Sequence, residues 1–149
     1  MLKYKKGNLL DAFDNGEVNI VVHCANCFHT FGSGIAREIA QRYPDAYKAD
    51  HCTPYADINK LGTASVCWLG KSNWIVNLYG QYDYGKNKRQ VNYGALGSGF
   101  SSVVKSFGES GNSFGFPLIG CGLAGGDWSI VSELIEFYFR DEDVTIYEL

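Results

Sequence analysis

The chain has 149 residues, 46% of them hydrophobic and 19% charged, with a formal net charge of -3 at pH 7. That length suits one domain, residues 1–149, burying about 70% of its unfolded surface without disulfide or metal staples. The small negative charge argues against the non-specific nucleic-acid binding that a basic face would support, and no run reaches the ~20 apolar residues of a membrane span.

In chain order, LKYKKG (2–7) reads as a short edge strand, and Asn15-Gly16 marks a turn. EVNIVVHCA (17–25) is an apolar, β-branched run of the kind that fills a buried strand. GIAREIAQRYP (34–44) is helical, with Ile35, Ala36, Ile39 and Ala40 on one face and Pro44 past its end. Residues 45–62 are polar and irregular, with room for one short helix. TASVCWLG (63–70) and NWIVNLYG (73–80) are strands joined by a tight turn, which predicts a hairpin. YDYGKNKRQ (82–90) is a polar loop, and residues 92–110 read as a helix despite their glycines and serines. SFGFPLIG (113–120) is a further strand. WSIVSELIEFYFR (128–140) is a helix expected to turn Ile130, Leu134, Ile135 and Phe139 inward, and DVTIYEL (143–149) is a final strand. Helices separate most of the strands, so the class is a layered α/β domain with a mixed central sheet flanked by helices.

The five cysteines are odd in number and lie in apolar or loop contexts, as free thiols of a reducing cytosol would. Cys24-x-x-Cys27 is half a zinc site at most, because no second ligand pair stands at comparable spacing. The opening MLKYKKGNLLDAF lacks the apolar run of a signal peptide. The expectation is a cytoplasmic chain, or a host-cytoplasmic one if viral.

Two glycine loops carry the functional signal. PLIGCGLAGGDW (117–128) contains Gly120-x-Gly122-x-x-Gly125, the spacing of a dinucleotide-binding turn. That fingerprint belongs to the first strand–helix turn of its fold, and too little chain follows here to build that fold around it. The physics of the loop survives: glycines admit a ligand to the backbone, and a following helix N-terminus offers unpaired N–H groups. HTFGSGIAREI (29–39) repeats the design, with Gly32-Ser33-Gly34 opening the helix from Ile35. Together the two loops are suited to two adjacent phosphates. His23 and Asn26 follow the apolar strand and are expected at its C-terminal tip, where open α/β sheets bind ligands. Asp127 is the one acid inside either loop and is well placed to cap the helix beginning near Trp128.

His-x-x-Asn-Cys, Gly-x-Gly-Ile-Ala and Ile-Gly-x-Gly-Leu-x-Gly-x-Asp-Trp occur here in one chain. In that combination the sequence resembles a macro domain, the three-layer α/β fold that binds ADP-ribose. It is most similar to the branch of ADP-ribose 1″-phosphate phosphatases and terminal ADP-ribose–protein glycohydrolases, and the resemblance covers nearly the whole chain. It implies that Asn8 and Leu9 lie near the adenine and that Asn26 holds the distal ribose. Gly32, Ser33, Gly34 and Ile35 would wrap the diphosphate from one side, and Gly120, Cys121, Gly122, Leu123 and Ala124 from the other. His23 and Asp127 match the pair associated with phosphatase catalysis. The glutamate-hydrolase members carry a sugar-attacking lysine after the hairpin, where this chain has Gln81, with Lys86 and Lys88 nearby.

Backbone amides can stabilise a transferring phosphoryl group, and a histidine with a carboxylate can move the protons of monoester hydrolysis. The reading is therefore a monomeric phosphatase acting on ADP-ribose 1″-phosphate, with no cofactor and no metal. The alternatives are an ADP-ribosyl hydrolase acting on protein, nucleic acid or an O-acyl ester, and a non-catalytic ADP-ribose reader.

Overall fold

The computed structural model describes residues 2–85, 87–108 and 111–149. Its strands are β1 (Lys3–Lys6), β2 (Ile20–Ala25), β3 (Ala64–Trp68), β4 (Trp74–Tyr79), β5 (Ser113–Phe116) and β6 (Asp143–Glu148). The helices are α1 (Leu9–Asp14), α2 (Gly34–Arg42), α3 (Pro44–His51), α4 (Tyr93–Phe107) and α5 (Trp128–Tyr138). The six strands form one sheet in the order β1-β6-β5-β2-β4-β3. Every neighbouring pair is parallel except the β3–β4 hairpin, so the sheet is mixed.

Side chains of a strand alternate between faces, and the central strands use this to build two cores. Ile20, Val22, Val76 and Leu78 pack with Leu96, Phe100 and Val103 of α4 and with Val131 and Ile135 of α5. Val21, Ala25, Ile75 and Tyr79 pack with Leu10 and Phe13 of α1, Ile39 of α2 and Ala46 of α3. The result is a three-layer α/β/α domain. No helix among the described residues is long and apolar enough to cross a membrane.

Four local expectations change. Residues 45–62 are more ordered than their polarity suggests: α3 occupies Pro44–His51, and a 3-10 turn covers Ile58–Lys60. Pro44 starts α3 rather than only following α2, because proline's fixed φ suits the first helical position, where its missing N–H costs nothing. On α5 the buried stripe is Val131, Ile135 and the following Phe139, while Ile130, one residue (about 100°) round the helix, is 41% exposed. The segment after β1 forms α1, whose start is signalled by Asn8 before the apolar Leu9, Leu10, Ala12 and Phe13. Helix α4 forms despite its glycines because two of them admit close neighbours: a Cβ on Gly99 would lie 2.7 Å from Leu78 of the sheet, and one on Gly97 3.2 Å from Tyr138 of α5. Asn92 caps its first turn at Ala95 N–H, 2.9 Å away.

Candidate functional site

A cavity of about 590 Å³ opens at the C-terminal ends of the parallel strands β2, β4 and β5. Cys24, Ala25 and Asn26 bring the end of β2 to it, and Gln81 brings the chain just past β4. Pro117, Leu118 and Ile119 bring the chain leaving β5. Asn26, Gly32, Ser33, Gly34, Ile35, Gly120, Gly122, Leu123 and Ala124, all expected from sequence, line this cavity together. Cys121 does not line it and packs instead against the α4–α5 core. Asn8 and Leu9 line a second cavity of about 410 Å³. The two cavities share Gly34, Ile35, Pro117 and Leu118, so they adjoin along one groove.

The first loop leads directly into α2. Ser33 occupies the cap position with extended backbone, but its hydroxyl makes no capping hydrogen bond. The N–H groups of Gly32, Ser33, Gly34, Ile35 and Ala36 have no acceptor among the described residues. Five unpaired amides at a helix start, with its partial positive charge, form an anion cradle.

The second loop is built differently. Gly126 N–H donates to the Gly120 carbonyl at 2.8 Å and Gly125 N–H to the Gly122 carbonyl at 3.1 Å. From outside, Gln90 N–H and Val91 N–H both donate to the Ala124 carbonyl, at 2.8 and 3.2 Å. The carbonyls of Gly120, Gly122 and Ala124 are thereby occupied, while the amides of Gly122, Leu123 and Ala124 have no acceptor among the described residues. The loop leads into a helix as expected, but its free amides at Gly122–Ala124 lie upstream of the first helical residue. α5 begins at Trp128, and its first turn is capped by Asp127, which accepts from Ser129 N–H at 2.9 Å. The second loop therefore offers an anion a nest of amides rather than a helix dipole.

Asn26 is 7% exposed and holds its own loop closed. Its Oδ1 accepts from Phe28 N–H at 2.8 Å, and its Nδ2 donates to the Thr30 carbonyl at 2.9 Å. One amide hydrogen is left for a ligand.

The two residues expected to be catalytic are not brought together at the cavity. His23 lies within β2 rather than at its tip, has no exposed surface and does not line the cavity. Its Nε2 lies 2.6 Å from Asn77 Oδ1, and Asn77 Nδ2 donates to the Ala46 carbonyl at 3.0 Å and to Ser65 Oγ at 3.1 Å. These bonds orient the Asn77 amide, so His23 Nε2 carries the proton and the buried Nδ1 is left without a partner. Burial, opposed only in part by the Asn77 bond, lowers the imidazole pKa to about 4. The ring stands edge-on to Phe31, 5.4 Å between centroids, so it supports the first glycine loop from beneath.

Asp127 is exposed and also lies outside the cavity lining. Its Oδ1 accepts from both Ser129 N–H and Ser129 Oγ, and its Oδ2 has no partner among the described residues. Its own N–H donates to the Tyr93 hydroxyl at 2.9 Å.

Gln81 does line the cavity, where the resemblance implied a lysine in other members. Its Nε2 donates to the Asp83 carbonyl at 2.8 Å, and its Oε1 lies 3.4 Å from Cys24 Sγ. Of the two lysines close by in sequence, Lys88 does not line the cavity and Lys86 lies outside the described residues. The sequence reading missed Tyr84, which reaches the cavity from the polar loop after β4, and Cys24. Alternation along β2 was the available signal for Cys24, since it faces the α4–α5 side while Cys27 lies buried in the opposite core.

The Macro domain family model matches residues 22–135. A 17.5 kDa protein from the tk-vs intergenic region of Enterobacteria phage T4 is 30% identical over 155 residues, covering 99% of this chain and 96% of that protein. An ADP-ribose 1″-phosphate phosphatase of Saccharomyces cerevisiae is 25% identical over 179 residues, covering 99% of this chain and 98% of that one. Among solved structures, a macrodomain protein from Streptomyces coelicolor is 27% identical, with a TM-score of 0.77 over 100% of this chain and 99% of that chain. With two amide-lined glycine loops facing one cavity and a family match spanning most of its length, this chain belongs to the Macro domain family.

Proposed function

We propose that the groove binds ADP-ribose and that the chain hydrolyses ADP-ribose 1″-phosphate to ADP-ribose and inorganic phosphate. The observation that carries the binding is the pairing of the two amide sets, Gly32–Ala36 and Gly122–Ala124, across one cavity. Their spare donors suit a diphosphate, and the adjoining apolar cavity suits a base. The name of the yeast relative supports the finer reading. In the reaction, water attacks phosphorus and the phosphorus–O1″ bond breaks. The departing ribose oxygen takes up a proton, and phosphate carries away the attacking oxygen. Asp127, with its unpartnered Oδ2 at the end of the second loop, is the candidate base for that water. His23 acts as a positioning residue, through Phe31 and Asn77.

A second reading, a binding module without catalysis, is favoured by one observation: neither His23 nor Asp127 lines the cavity. The same experiment separates the two. Calorimetric titration with ADP-ribose comes first, followed by phosphate release from ADP-ribose 1″-phosphate by wild type and Asp127→Asn. Asparagine caps a helix as well as aspartate does, so this variant keeps the fold while losing the base, and release falls about 10²- to 10⁴-fold. Tight binding with no release by the wild type leaves the binding module. No binding at all removes both readings.

A further inference from the structure

We infer that Glu38 selects the base end of the ligand by accepting a hydrogen bond from the exocyclic amino group of adenine. This rests on the ADP-ribose reading above and adds the residue that distinguishes a 6-amino from a 6-oxo purine.

The smaller cavity is where the base must go. Its lining includes the apolar Leu9, Ile35, Pro117 and Leu118 but neither lysine nor arginine, so it suits a flat neutral ring better than a phosphate. Through Gly34 and Ile35 it continues into the cavity with the spare amides, which fixes the direction of the ligand along the groove.

The hydrogen-bond inventory of this cavity is lopsided. Asn8, the residue expected nearest the base, has already used its oxygen: Oδ1 accepts from Leu10 N–H at 2.9 Å and Asp11 N–H at 3.1 Å as the cap of α1. What remains on that wall are donors, Asn8 Nδ2 and Leu9 N–H, neither with an acceptor among the described residues. Donors can serve a ring nitrogen of adenine but not its amino group. An acceptor has to come from elsewhere, and the side chains lining the cavity include two carboxylates, Glu38 and Glu148.

The sheet separates these two. On β6, Val144 and Ile146 belong to the α4–α5 core and Tyr147 to the opposite core. Glu148 follows the parity of Ile146, so it leaves the sheet on the face away from the wall of Leu9 and Ile35. Glu38 stands on α2 three residues after Ile35, and neighbours at that spacing share one helix surface. Both line the cavity, and the Glu38 carboxylate has no hydrogen bond or ion pair among the described residues. A 6-oxo purine would turn a carbonyl towards this carboxylate and leave both oxygens without a proton between them.

The test is titration with ADP-ribose and with its hypoxanthine counterpart, inosine diphosphate ribose, for wild type, Glu38→Gln and Glu148→Gln. Wild type binds the adenine ligand at least about tenfold more tightly, as expected for a hydrogen bond to a charged acceptor. Glu38→Gln brings the two affinities to within about threefold, because the amide serves either an amino group or a carbonyl. Glu148→Gln keeps the wild-type ratio. The inference is overturned if wild type binds both ligands equally, if Glu38→Gln keeps the wild-type ratio, or if Glu148→Gln alone abolishes it. The first of these needs no variant and so does not depend on either one folding. Tight ADP-ribose binding in any of those cases leaves the ADP-ribose reading intact, whereas failure to bind either ligand removes both.

Discussion

Replacing Gly126 with alanine tests whether the second glycine loop is bare because it must be. The added Cβ would stand 2.5 Å from the Gly120 carbonyl oxygen and 3.0 Å from Val91 Cγ1. Carbon and carbonyl oxygen ordinarily approach to about 3.3 Å, so roughly 0.8 Å has to be absorbed. The obstacle is main chain and cannot swing aside as a flexible side chain would. It is also the carbonyl that accepts Gly126 N–H at 2.8 Å, so the bond closing the loop is lost with it. That bond is worth about 1 kcal/mol, and forcing backbone apart in a packed region costs about 1–3 kcal/mol more. A loss of about 2–4 kcal/mol corresponds to a melting temperature lowered by roughly 5–15 °C in a domain of this size. The Gly122–Ala124 amides shift with the loop, so calorimetry should show ADP-ribose affinity reduced at least about tenfold.

Gly122→Ala is the matched comparison, because a Cβ there meets nothing within 4 Å although the residue lines the cavity. Its stability should stay within about 0.5 kcal/mol of wild type, while affinity falls because the methyl occupies ligand space. A Gly126→Ala protein that melts and binds like wild type, or a Gly122→Ala protein that is the less stable of the two, would refute the reasoning.

Two further predictions follow from burial. His23 takes up a proton only near pH 4 when folded, whereas an unfolded histidine does so near 6.5. Between those values the unfolded chain binds more protons, so stability is level above about pH 6.5 and falls as pH drops towards 4. Thermal melts across that window should show the decline, and His23→Gln, though less stable throughout, should lose the share of the slope that belongs to this ring; an unchanged slope would count against a buried neutral imidazole. Among the thiols, burial pushes Cys24 up to about 12 and Cys121 up to about 11, while Cys27 has no exposed surface and Cys52 is exposed. Alkylation near pH 8 followed by peptide mass spectrometry should label Cys52 first, since the thiolate is the reacting form; faster labelling of Cys24 would contradict its place at the end of β2.

Much of this protein is legible locally. The strand runs 17–25 and 73–80 declare themselves as continuous apolar runs because β2 and β4 are buried on both faces, and the helical runs 34–44 and 128–140 because period-3.6 burial writes its pattern into consecutive residues. The groove lining was legible for the same reason: glycines between a strand and a following element state a need for close backbone approach, and Asn26, Gly32–Ile35, Gly120 and Gly122–Ala124 do meet at one cavity. Other features depended on partners distant in the chain. α4 is a helix because Gly99 fits against Leu78 and Gly97 against Tyr138, and not because of intrinsic propensity. His23 is a polar residue after an apolar run, which by itself resembles a strand end. Only the parallel pairing that sets it beside Asn77 makes it a buried, neutral support for Phe31. Asp127 caps α5, as its position in the sequence already suggested, but where its carboxylate stands relative to the cavity depends on how Gly120–Gly126 closes on itself. Sequence determined which residues could serve a phosphate-binding groove. Tertiary structure decided which of them face it, because facing is set by strand register and loop closure, and both join residues tens of positions apart.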